Sequence, residues 1–184
     1  MTRKRRRPGH KIKNVDRKVL RYCTRVPTSA AANRVLSALG SSADHSALWM
    51  GLACVLAMRR GRPRRAAVRE VSSIALTSLI INAAAKRVRR RRRPAPDLLR
   101  WRHRPARPPR SPSFPSGHAA SAAAAVTALW MEHHRLGLAA APVAAAVAYS
   151  RLHTGVHWPS DVIGGCALGM ATASSTRYLW PPSR

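Results

Sequence analysis

Apolar and charged positions are segregated along this chain rather than interleaved. Five stretches hold no Asp, Glu, Lys or Arg: His45–Met58, Val71–Ala85, Ser111–Met131, Leu136–Ser150 and Val162–Thr176. Each is apolar on all sides and none alternates with a period of two, so the pattern predicts helices and no strands. Four of them fall short of the roughly 20 apolar residues that a spanning helix needs. Arginines at their ends can snorkel towards headgroups and lengthen each span. A soluble bundle would need polar helix faces, which these runs do not offer. The pattern therefore predicts an all-α, integral membrane helical bundle with about five spanning helices.

Outside the runs, residues 19–42 mix Leu, Val and Ala with Arg and read as an amphipathic helix at a membrane surface. Residues 1–18 read as a basic, flexible arm, which leaves 19–184 as the membrane domain. The sequence MTRKRRRPGHKIK has charge but no apolar segment directly after it, unlike a secretory signal. Residues 94–115, rich in Pro and Arg, predict an irregular loop.

Charge narrows the partners. Thirty-four Lys and Arg against 6 Asp and Glu give a formal net charge of +28, which implies nucleic acid or an anionic membrane surface. Because the arginines punctuate apolar runs, membrane lipids are the expected partner and nucleic acid is not. A basic protein that binds nucleic acid or anionic lipid without catalysis is the competing class. Cys23, Cys54 and Cys166 are far apart, odd in number and outside any C-x-x-C, so no disulfide framework is expected.

Three clusters carry chemistry. The first is Lys86 with Arg93-Pro94. The second is Pro115-Ser116-Gly117-His118, at the start of an alanine-rich run. The third is Ser150-Arg151 through His157 to Asp161. Taken alone, the second cluster is no more than an N-capped helix beside a histidine. Counting one crossing per run, however, brings all three to the same membrane face. There Lys86, Arg93 and Arg151 supply fixed positive charge, and the guanidinium groups can fork onto phosphate oxygens. Ser116 and Gly117 add a helix N-terminus. Asp161, four residues after His157, is spaced to hold one imidazole nitrogen and leave the other free to attack. His118 is a second histidine, suited to protonating a leaving oxygen. Arg87–Arg92 read instead as a stop signal on the cytoplasmic side. His153 and Asp97 have no role in this scheme. The face that holds the arm and the three clusters carries 25 of the 34 Lys and Arg residues, which places it in the cytoplasm.

This order, Lys-x6-Arg-Pro, then Pro-Ser-Gly-His, then Ser-Arg-x5-His-x3-Asp, resembles the type 2 phosphatidic acid phosphatase superfamily. The resemblance implies a membrane lipid-phosphate phosphatase without a metal or other cofactor. It implies that His157 forms a phosphohistidine, that Asp161 orients it, and that His118 protonates the leaving group and then activates water. Lys86, Arg93, Ser116, Gly117 and Arg151 would bind the phosphoryl oxygens. The substrate class would be a lipid phosphate or diphosphate, with a polyprenyl-linked lipid such as decaprenyl-phosphoryl phosphoribose among the expectations.

Overall fold

A computed structural model of the chain describes residues 8–43, 46–85, 91–95 and 111–182. Within them lie seven α-helices: α1 (Pro8–Arg25), α2 (Ala30–Ser42), α3 (Ala47–Ala57), α4 (Arg62–Ile80), α5 (Gly117–Glu132), α6 (His134–His153) and α7 (Pro159–Leu179). A π-helical turn, Ile81–Ala85, extends α4. No strand occurs among the described residues, so the all-α class expected from the run pattern is the class observed. Each of the five apolar runs overlaps one of the helices α3 to α7.

Local chemistry sets several boundaries. Pro27 closes off α1, and Ser29 opens α2 by accepting a hydrogen bond from the Ala32 N–H at 3.1 Å. The amphipathic segment expected over 19–42 is therefore two helices. α1 also runs through residue 18, where the arm was expected to end: Asp16 and Leu20 lie one turn apart on its inner face, and both are buried. Gly61, at φ +80°, turns the chain between α3 and α4. Pro159 occupies the first turn of α7, where its missing N–H costs nothing.

α5 is the hub and packs on α4, α6 and α7. Its alanines at 119, 120, 122, 124, 125 and 128 are all buried, which keeps this helix thin and lets neighbours approach closely. The closest approach is to α7. A β-carbon at Gly165 would lie 2.5 Å from the Ser116 carbonyl oxygen, and one at Gly169 would collide with the Ala120 carbonyl. The two helices thus meet backbone to backbone along a glycine seam. α1 and α2 lie against α6, and α1 also touches α7.

At the end of the bundle where α5 finishes, Arg69 is fully buried. Its Nε donates to Glu132 Oε1 at 2.7 Å, Nη1 to Thr176 Oγ1 at 2.9 Å and Nη2 to the Trp180 carbonyl at 2.5 Å. This clamp ties α4, α5 and α7 together. Among the described residues one stretch, Arg62–Ala83, is long and apolar enough by length and composition to cross a membrane, and α3 is a shorter apolar helix.

Candidate active site

The other end of the bundle gathers the starts of α5 and α7, the end of α6, and the segment Arg91–Ala95. Ser116 caps α5 and is fully buried, and its N–H donates to the Asp161 carbonyl at 3.0 Å. That bond holds the two helix N-termini together. Gly117 and His118 follow in the first turn of α5, both partly buried. The two N-termini direct their unpaired N–H groups and positive dipole ends towards the same end of the bundle.

His157 lies in the loop before α7 and is 5% exposed. Its Nδ1 is 2.7 Å from the Ser113 carbonyl oxygen, and its Nε2 is 3.3 Å from Arg93 Nη1. A guanidinium only donates, so Nε2 accepts, and Nδ1 carries the proton given to Ser113. The lone pair on Nε2 therefore faces the arginine. Burial, reinforced by the charge of Arg93, pushes the imidazole below its ordinary value of 6.5 against the opposing pull of Asp161 and Ser113. The ring is held neutral, as a nucleophile requires. Burial likewise lowers the Arg93 guanidinium from its ordinary value, opposed by Asp161.

Arg93 is fixed by its surroundings: Nε donates to the Ser111 carbonyl at 3.0 Å, Nη2 to Ser111 Oγ at 3.1 Å and Nη1 to the Val156 carbonyl at 2.7 Å. No carboxylate neutralises it among these contacts, so its charge remains available to an anion bound beside Nε2.

The geometry amends the expected role of Asp161. Its Oδ2 lies 3.8 Å from His157 Nδ1, within ion-pair reach but beyond hydrogen bonding. The group that takes the Nδ1 proton is the Ser113 carbonyl. Asp161 works one step back: Oδ2 accepts from the Ser113 hydroxyl and, at 2.9 Å, from the Trp158 N–H. It thus fixes the residue that orients the histidine, and closes the N-terminus of α7. Ser113 went unnoticed in the sequence because a serine between prolines carries no signal for a carbonyl contact.

Arg91 was also passed over, as part of a topology signal. Its Nη1 donates to Asp161 Oδ1 at 2.8 Å and to Ser160 Oγ at 2.6 Å, and its Nη2 to Asp16 Oδ2 at 2.6 Å. The run Arg91–Arg93 is pinned further by the Ser113 N–H on the Arg91 carbonyl and by Trp158 Nε1 on the Arg92 carbonyl, both at 2.9 Å. Arg151 ends α6, with Nε 3.3 Å from Ser150 Oγ and its guanidinium over Gly40 of α2. His153, without a role in the sequence scheme, is buried, with Nε2 2.7 Å from Asn33 Oδ1. It joins α6 to α2. Lys86 and Asp97 lie outside the described residues. Among those described, no three His, Cys, Asp or Glu side chains converge as a metal site would need.

Known proteins resemble this chain in sequence and share its fold. The model of the PAP2 superfamily matches residues 66–184, which include all three clusters. The fold superposes on the crystal structure of LpxE from Aquifex aeolicus with a TM-score of 0.72, at 21% identity, covering 88% of this chain and 93% of that one. It also superposes on a transmembrane PAP2 type phosphatidylglycerolphosphate phosphatase from Bacillus subtilis, with a TM-score of 0.68 at 21% identity, covering 92% and 86% respectively. A protein of Escherichia coli (strain K12) assigned as an undecaprenyl-diphosphatase, YbjG, is 41% identical over 49 residues. That match spans 26% of this chain and 25% of the relative. The fold is thus that of an integral membrane helical bundle.

Proposed function

The chain belongs to the PAP2 superfamily, and we propose that it is a membrane phosphatase that removes a phosphoryl group from a lipid phosphate or diphosphate by way of His157. The observation that carries this reading is the state of His157: buried, neutral, Nδ1 committed to Ser113, and Nε2 presenting its lone pair beside the un-neutralised Arg93.

A phosphate placed there would have its oxygens against Arg93 and the N-terminus of α5, joined by Lys86 and Arg151. His157 Nε2 attacks phosphorus while the bond to the leaving oxygen breaks, and His118 gives that oxygen its proton. Imidazolium charge forming on His157 is stabilised by the Ser113 carbonyl and by Asp161 behind it. Water then attacks the phosphohistidine, returning its proton to His118 and freeing Nε2 and phosphate. All the stabilising charge comes from side chains and helix N–H groups, so the chemistry is expected to run without a metal.

A groove of about 190 Å³ supports a lipid substrate. It is lined by Ala119, Ala122, Val126, Ala144, Ala148 and Met170. It is apolar and offers room for a hydrocarbon chain attached to the phosphate. A polyprenyl carrier is the favoured lipid. Five crossings, α3 to α7, with the phosphate site in the cytoplasm, are the favoured topology, from the distribution of Lys and Arg.

The test is a phosphate-release panel on detergent-purified protein, with phosphatidic acid, phosphatidylglycerophosphate and polyprenyl phosphates and diphosphates. His157→Ala should lose at least about a thousandfold in kcat, and orthovanadate should inhibit in the presence of EDTA. Near wild-type turnover by His157→Ala would remove the covalent route. Topology is tested separately, with single cysteines in a cysteine-free background. In intact cells an impermeant thiol reagent should label Arg135→Cys and spare Ser111→Cys; the reverse would move the site outside.

A further inference from the structure

α1 presents two apolar faces. Leu20 and Cys23 turn inward and are buried, whereas Ile12, Val15, Val19 and Tyr22 form an exposed stripe. One turn before Leu20, on the same inward face, sits a carboxylate. Asp16 is 2% exposed on a helix that otherwise carries only basic charges, and an acid there is buried at a cost unless it is paired. Its partners all belong to the active-site end. Oδ2 accepts from Arg91 Nη2 at 2.6 Å and from Ser160 Oγ at 2.8 Å, and Oδ1 accepts from the Ser160 N–H at 2.9 Å.

The same Arg91 guanidinium reaches Asp161 Oδ1 through its other nitrogen. Asp16, Arg91 and Asp161 therefore form an acid–base–acid bridge, with Ser160 bonded to the first two. Asp16 also occupies an unpaired N–H in the first turn of α7, the turn that holds Asp161. Without Asp16, Arg91 would keep only its Nη1 bonds, to Asp161 and Ser160, and Nη2 would lose its acid. Fastened at both ends, Arg91 fixes the Asp161 carboxylate that in turn holds Ser113 against His157.

We infer that Asp16 is a positioning residue for the phosphoryl transfer. It acts through Arg91 and Ser160 on Asp161, and α1 is the support on which the nucleophile's holder is braced. The inference rests on the phosphatase reading above. Asp16 touches neither His157 nor the phosphate position, so its removal should slow the chemical step and leave lipid binding alone.

The experiment compares steady-state kinetics of Asp16→Asn, Asp16→Glu, Arg91→Gln and the Asp16→Asn/Arg91→Gln pair, each in detergent with a short-chain lipid phosphate. Asp16→Asn should lower kcat about tenfold, the weight of one charge-assisted hydrogen bond, with KM unchanged. Asp16→Glu should recover most of the loss. Because Asp16 acts mainly through Arg91, the double variant should be little slower than Arg91→Gln. Wild-type kcat in Asp16→Asn, a change confined to KM, or losses that simply multiply in the double variant would each overturn the inference. Ser160→Ala, a smaller change to the same bridge, should give a kcat-only loss and serves if Asp16→Asn does not fold. An activity-free measurement accompanies these: with Cys23, Cys54 and Cys166 replaced by Ser, Asp16→Cys and Ser160→Cys should crosslink on oxidation. Failure to crosslink would also overturn the inference. A crosslink in the Asp16→Cys/Ser160→Cys protein, together with wild-type protein that releases no phosphate from any lipid, would sink the phosphatase reading, with α1 still docked at the loop.

Discussion

The two ends of the bundle each hold an arginine–carboxylate network, and the two are finished differently. At the α4–α5–α7 end, Arg69 and Glu132 have no side-chain exposure, and each nitrogen of the guanidinium has a partner. At the α1–α7 end, Arg91 is shared between two acids, whereas the hydrogen-bond partners of Arg93 among the described residues are neutral, and one of them is Nε2 of His157. A network closed on itself can fasten helices. An arginine that meets no carboxylate directly can bind an anion. In the proposed function the same residue types thus do structural work at one end and chemical work at the other, and what separates Arg69 from Arg93 is that Arg69 meets a carboxylate directly.

The sharpest way to break this contrast is at the closed end. Glu132→Gln leaves the Arg69 charge buried without its acid and should cost about 3–5 kcal/mol of stability, seen as a lower thermal midpoint in detergent. The folded fraction should keep its kcat. A large loss of kcat per folded molecule would show that the two ends are coupled.

At the open end the expected effects are reversed. Arg93→Gln should leave the thermal midpoint nearly unchanged and lower kcat by about 10²–10³-fold, because it removes a donor aimed at developing phosphoryl charge. A stability loss as large as that of Glu132→Gln would mean that Arg93 is a second clamp.

A subtler effect is on pH. His157 is held below its ordinary 6.5, so its neutral form persists to lower pH than that of a free imidazole. The acidic limb of kcat/KM should therefore fall below pH 6.5. In Arg93→Gln that limb should move up, since the arginine's charge is one of the causes of the depression. A limb that stays put in the variant would mean that burial alone sets it.

Much of this architecture was legible in the sequence. The charge-free runs marked where α3 to α7 lie, because all-round apolar stretches leave little but helices to form. The motif spacing brought Arg93, Ser116, Gly117, His118, Arg151, His157 and Asp161 to one end. What escaped was whatever residue type cannot encode. Arg91 and Arg93 stand in one arginine run, and only their positions on the folded loop set one between two acids and the other beside His157. Ser113 contributes a carbonyl, which every residue has. Asp16 is separated by 145 positions from the Asp161 it helps hold, and its partner in that bridge was hidden among like charges. α4 begins nine residues ahead of its apolar run, since Arg69 could be buried only because Glu132, Thr176 and Trp180 wait for it.

The glycine seam between α5 and α7 has a mechanical consequence. With Gly165 and Gly169 against the α5 backbone, these helices cannot slide or roll past one another without collision, and the Ser116–Asp161 bond locks their ends. The cap of α5 and the loop of His157 therefore travel as one stiff part. α2, by contrast, rests on the outside of the bundle against α6. In the proposed phosphatase, the compliance needed to admit a headgroup and release its product falls to such outer walls and not to the seam, so the parts that hold the phosphate keep their mutual geometry while the entrance moves.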